Sequence, residues 1–125
     1  MYNVVGYVRA NNECPYEGYL ENLKRTGAKK EIARIVAVVR QLRERGVYEL
    51  AQMTVAKKMN DIWELRPHPH RIFFFFDSAR QRYVLLHGYR KKSQRTPHQE
   101  IERAERLMAE YYRSDRFHYQ TLSQH

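Results

Sequence analysis

Between Ile62 and Tyr89 three strand-like runs follow one another with only turn chemistry between them. The first, Ile62-Trp63-Glu64-Leu65-Arg66, is closed by Pro67-His68-Pro69-His70. The second runs from Arg71 to Phe76, contains four consecutive phenylalanines and ends at Asp77 to Gln81; the third runs from Arg82 to Tyr89. Residues before proline are pushed out of the α region, and aromatic and β-branched side chains suit a pleated surface, so each run reads as a strand. Connections this short join antiparallel neighbours, because a parallel return needs a crossover of about a dozen residues or more. The result is a three-stranded meander at the centre of the fold. The phenylalanine run predicts a strand buried on both faces.

The flanking sequence supplies helices and one more strand. Val4-Val5-Gly6-Tyr7-Val8 reads as a strand ending at Asn11 and Asn12. From Pro15, suited to a first helical turn, Tyr16, Tyr19, Leu20 and Leu23 recur at helical spacing until Thr26 and Gly27. A second helix carries Ile32, Ile35, Val36, Val39 and Leu42 and stops at Gly46. Arg40, Arg43 and Arg45 near its end complement the helix dipole and need no ligand to explain them. Residues 47–60 fit no single period and read as an irregular connection. Thr96-Pro97-His98-Gln99 has the form of a capping box with proline at the first helical position, and Ile101, Ala104, Leu107, Met108 and Tyr111 make one apolar stripe behind it. That stripe is core. Residues 1–113 therefore form a single domain in the order strand, helix, helix, strand, strand, strand, helix, followed by a polar C-terminal tail, 114–125. The expected class is α+β, with the helices largely on one face of a mainly antiparallel sheet.

Lysine and arginine total 23 against 14 acidic residues, a formal charge of +9. A balance this lopsided points to a polyanionic partner, nucleic acid first. No apolar run approaches the roughly 20 residues of a spanning helix, so no membrane partner is expected. Met1 to Ala10 lack the pattern of a secretory signal, and a cytoplasmic protein is expected. One cysteine, Cys14, permits neither an internal disulfide nor a thiolate cluster, and without a placed base its thiol reads as structural. His68 and His70 are split by Pro69 in a turn with no carboxylate or cysteine beside them, so no metal site is expected. Phosphate-cradling glycine loops and the serine-hydrolase elbow are both missing, which disfavours nucleotide-dependent and serine-hydrolase chemistry and leaves no cofactor to expect.

Residues 78–99 carry Arg80, Arg82, Arg90, Lys91, Lys92 and Arg95 and no acidic residue. Tyr83, Tyr89, Phe73 and Phe75 lie on strands nearby, the mixture of cations and aromatic faces that single-stranded RNA recognition uses, with Arg82, Arg90 and Arg95 as candidate RNA contacts. The competing reading is a solvated charge run beside a buried strand. RNA brings its own nucleophile, the 2′-hydroxyl, so Arg, Lys, His and Tyr suffice for metal-free cleavage.

Trp63-Glu64-Leu65-Arg66, then Arg71-Ile72-Phe73, then Leu85-Leu86-His87-Gly88-Tyr89-Arg90-Lys91-Lys92-Ser93-Gln94, and finally Thr96-Pro97 with Glu100, Ile101 and Ala104, form a series. It resembles the phage-derived HigB-like branch of the RelE/ParE toxin superfamily over about half the chain, and the preceding strand and two helices fit that family's order. The resemblance implies a RelE-like microbial ribonuclease fold and the toxin of a type II toxin-antitoxin system. Such a toxin enters the ribosome and cleaves messenger RNA by metal-independent acid-base chemistry, and a cognate antitoxin, often a helix-turn-helix protein, holds it in a hetero-oligomer. By the same resemblance Arg66 and Arg71 would stabilise the scissile phosphate, Lys91 and Lys92 would hold RNA backbone or transition-state charge, and Lys57 and Lys58 would help from the preceding loop. His87 and Tyr89 are the acid-base candidates, inward packing being the equal alternative for His87. The superfamily also contains ParE-like DNA gyrase poisons, and a catalytically inactive RNA-binding regulator would keep the same basic surface.

Overall fold

The computed structural model describes the backbone of residues 1–93, 95–114 and 119–121, and the side chains up to Ser114 with Gln94 excepted. The elements are β1 (Asn3–Tyr7), α1 (Pro15–Arg25), α2 (Lys29–Arg45), α3 (Val47–Gln52), β2 (Ala56–Met59), β3 (Ile62–Leu65), β4 (His70–Asp77), β5 (Arg82–Arg90), α4 (His98–Arg113) and β6 (Tyr119–Thr121). They build one six-stranded sheet in the order β2-β3-β4-β5-β1-β6. The meander forms as the turn chemistry dictates: β3 pairs antiparallel with β4, and β4 with β5. β1 adds parallel to β5, with Asn3 opposite Arg82 and Gly6 opposite Leu85. The class is α+β, as expected.

Side-chain alternation divides the core. Leu65, Ile72, Phe74, Tyr83 and Leu85 face Leu20 of α1, Ile35, Val39 and Leu42 of α2, and Leu50 of α3. Phe73, Phe75, Val84 and Leu86 face Ala104, Leu107 and Tyr111 of α4. The central strands are buried on both sides for this reason, although Phe76, at the strand's outer end, is 37% exposed. Helices α1, α2 and α3 share one face, in line with the expectation that the helices lie largely on one side, while α4 covers the opposite face. Its stripe had to bury itself somewhere, and Phe73, Phe75 and Leu86 leave an apolar surface that the first three helices cannot reach.

Three expectations are corrected. Residues 47–60 hold α3 and β2. Gly46, at φ 82°, breaks the helical path after α2, and the six residues of α3 are too few to show a period. β2 is an edge strand in which Ala56 alone is buried, so it shows no apolar alternation. The Thr96 capping box does not form: Pro97 occupies the N-cap position without a side-chain hydrogen bond, and the Thr96 hydroxyl goes elsewhere. Within 114–125, Tyr119–Thr121 pairs with β1, while 115–118 and 122–125 lie outside the described residues.

Polar anchors fix α4. Near its end the Tyr111 hydroxyl donates to Asp77 Oδ2 at 2.6 Å and accepts from Arg82 Nε at 3.1 Å and Nη2 at 2.7 Å. One residue earlier, Glu110 accepts from the Tyr7 hydroxyl and from Arg9, at 2.9 and 2.8 Å through one oxygen. No helix among the described residues is long and apolar enough to cross a membrane.

Candidate functional site

Ile62 and Glu64 of β3, and Arg66 just beyond it, alternate onto the sheet face that carries α4. Ile62 seals into the core there, and Glu64 follows it inward to complete burial. A buried carboxylate is costly unless donors satisfy it. Neighbouring strands supply two of them, Arg71 of β4 and Tyr89 of β5, which the register sets opposite one another, while Lys57 of β2 stands opposite Glu64 in the register. Glu64 Oε1 lies 3.4 Å from Arg66 Nε and 3.5 Å from Arg71 Nε. Glu64 Oε2 accepts from the Tyr89 hydroxyl at 3.1 Å and from the Thr96 hydroxyl at 3.0 Å. One oxygen gathers the arginines and the other gathers the two hydroxyls.

The electrostatics follow from that geometry. Burial, reinforced by the Glu64 charge and hydrogen bond, pushes the Tyr89 phenol up to about 12, so it keeps its proton at neutral pH and acts as a donor. Burial lowers Arg71 from its usual value and Glu64 opposes the shift; a guanidinium nevertheless stays charged, and here its Nη1 also donates to the His70 carbonyl at 3.0 Å. The Arg66 side chain is 30% exposed and Arg71 only 7%, so Arg66 presents the more open cation. Lys57, Lys92 and Arg95 are exposed and Lys91 half-buried around the cluster, and the Lys91 backbone N–H donates to the Pro69 carbonyl at 2.8 Å.

The structure thus brings Arg66, Arg71 and Tyr89 together, with Lys57 in register and Lys91, Lys92 and Arg95 on the adjoining segment. It separates the other candidates. Lys58 alternates to the opposite face as the partner of Trp63. Arg90 also lies on that face, where it donates to Glu31 Oε1 at 2.7 Å; the same oxygen accepts from His70 Nε2 at 2.7 Å, and His70 Nδ1 accepts from the Tyr19 hydroxyl. Both ring nitrogens of His70 are engaged. Arg82 is buried at the far end of β5, within the Tyr111 anchor. His87 packs beneath α4 against Phe73, whose ring also stacks on Tyr89. Burial, with Arg103 and Arg106 nearby, drives its imidazole down to about 3, so it is neutral, and Nε2 donates to Glu100. Inward packing is the reading of His87 that the geometry supports.

Sequence reasoning missed Glu64 and Thr96 as members of the site. The signal for Glu64 was available, since a carboxylate two residues after an inward apolar residue on a strand must itself point inward and needs partners. Nothing local marked Thr96, whose context imitates a helix cap.

A family described as phage derived protein Gp49-like (DUF891) matches residues 21–109, well over half of the chain. It is a family of RelE/toxin-like proteins. The matched span includes Glu64, Arg66, Arg71, Tyr89, the lysine pair and Thr96. No curated protein matches the chain.

Proposed function

We propose that this chain, which belongs to the phage-derived Gp49-like family, is the toxin of a type II toxin-antitoxin pair and cleaves messenger RNA on the ribosome. Membership of a toxin-like family implies a cognate antitoxin, here a helix-turn-helix protein that holds the toxin in a hetero-oligomer, as in the HigB-like branch. The observation that carries the activity is the pair of arginines ordered by a buried carboxylate beside a protonated phenol, bordered by exposed lysines.

In the proposed reaction the 2′-hydroxyl of one nucleotide attacks the adjacent phosphorus. The P–O5′ bond breaks, leaving a 2′,3′-cyclic phosphate and a 5′-hydroxyl. Charge accumulates on the non-bridging oxygens, where Arg66 and Arg71 stabilise it with Lys91 and Lys92, and preorganised cations of this kind are commonly the largest catalytic contribution. Tyr89 delivers its proton to the leaving O5′, water takes the proton that the 2′-hydroxyl releases, and the tyrosinate regains a proton from solvent before the next turnover. Lys57 and Arg95 hold the backbone on either side. Because Tyr89 holds its proton and Glu64 is enclosed, the reading rests on charge stabilisation and positioning more than on a strong base.

The test is induction of the chain alone in a bacterial host, with mapping of message 5′ ends with and without translation blocked. New ends confined to translated messages are expected. Growth arrest with intact messages and accumulating DNA breaks would move the protein to the gyrase poisons, and the absence of any arrest would make it an RNA-binding regulator.

A further inference from the structure

We propose that Thr96 and Glu64 are positioning residues that clasp the lysine-bearing segment after β5 onto the carboxylate that also orders Arg66 and Arg71. The inference rests on the function proposed above and names how that site is held together.

Both ends of the excursion between β5 and α4 converge on one atom. Tyr89, at its start, and Thr96, at its end, each donate to Glu64 Oε2, at 3.1 and 3.0 Å. Lys91, Lys92 and Arg95 lie between those two bonds. Other ties among the described residues of the segment are the Lys91 N–H to the Pro69 carbonyl and an internal bond from Ser93 Oγ to the Arg95 carbonyl. Among the described residues, the hydroxyl of Thr96 thus makes the side-chain bond that fixes the far end of the segment to the sheet. It does so at the expense of the usual role of a threonine at this place, since α4 begins without a side-chain cap. On its other oxygen the same carboxylate faces Arg66 and Arg71. Cations from the sheet and from the loop are therefore referenced to a single rigid group, which is what positioning of several charges around one phosphate requires.

Neither residue touches RNA in this scheme, so the test must separate positioning from mere support of the fold. Thr96→Val removes the hydroxyl and keeps the side-chain volume, while Thr96→Ser keeps the hydroxyl. Message cleavage by Thr96→Val should fall about tenfold to a hundredfold, the scale of an ångström-level misplacement, while Thr96→Ser stays within about threefold of the parent. Lys92→Ala should then cost less in the Thr96→Val background than in the parent, because a loosened segment no longer presents that lysine. Equal activity of Thr96→Val and parent, or independent multiplication of the two losses, would overturn the clasp. A second measurement does not depend on catalysis: amide hydrogen exchange at Lys91, whose N–H is bonded to the Pro69 carbonyl, should accelerate in Thr96→Val and not in Thr96→Ser. Unchanged exchange rejects the clasp even if the parent proves to cleave no message, whereas accelerated exchange in an inactive parent sinks the ribonuclease reading alone.

Discussion

Replacing Tyr111 by phenylalanine removes one oxygen and leaves the ring packed between Tyr7, Phe75 and Tyr112. That oxygen joins two buried charges, Asp77 at 1% exposure and Arg82 at 6%. It makes one short bond to the carboxylate and receives a forked pair from the guanidinium. Hydrogen bonds to charged groups contribute about 1.5–3 kcal/mol each, and members of one network are not additive. Arg80 still bonds Asp77 through both its backbone and its side chain, so the carboxylate keeps partners. A loss of about 2–4 kcal/mol at pH 7 follows. Urea unfolding followed through the single tryptophan, Trp63, measures it. The pH dependence has a definite sign. Burial by itself would raise the Asp77 carboxyl, but the bonds from Tyr111 and Arg80 outweigh it and hold the group below the ordinary carboxylate range. A depressed folded-state pKa contributes stability in full above the unfolded value, about 3.9, and that stability is lost as pH falls through the folded value. The gap between parent and Tyr111→Phe should therefore be widest near neutrality and narrow as the pH drops below about 4. A gap under about 0.5 kcal/mol at pH 7, or one that holds constant or widens in acid, would refute the reasoning.

Arg71→Ala and Lys92→Ala should each abolish growth arrest while leaving antitoxin binding intact in a pull-down; toxicity unchanged in both would remove the site assignment. Binding to ribosomes or RNA should weaken steeply with salt, each released phosphate contact adding roughly one unit to the log-log slope, and a flat titration would mean the exposed cations hold no phosphates. Gly88→Ala should lower thermal stability by about 1–3 kcal/mol, since overpacking displaces well-packed neighbours. The added Cβ would lie 2.7 Å from Ile72 Cδ1 and 2.8 Å from the Tyr19 ring, and an unchanged melting temperature would show that these side chains yield freely.

The meander, the first strand and helices α1, α2 and α4 were legible because each carries a period long enough to read or a stop signal of known geometry. What was hidden had short period or borrowed context. α3 is a single short stretch between Gly46 and Met53, and β2 shows water a lysine pair. For the site, Arg66, Arg71 and Tyr89 were legible by residue type, but type alone could not sort the basic residues by place. Parity sends Arg90 and Lys58 to the opposite face. Position along β5 sends Arg82 to the far end from Tyr89. A list of cations does not contain these distinctions, and a strand register does.

The seating of β1 between β5 and β6 sets an order of assembly. Asn3 to Gly6 find their parallel partners only at Arg82 to Leu85, so during synthesis β1 cannot pair until β5 has emerged. The same β5 supplies Tyr89, and the Thr96 hydroxyl follows it. A nascent or prematurely terminated chain that stops short of β5 therefore has neither a closed sheet nor an assembled Glu64 cluster. Domains fold as units once their long-range partners have emerged, and this topology postpones competence until β5 has been made. A strand that precedes α1 to α3 and lies in the interior of the sheet thus makes assembly of the sheet conditional on β5.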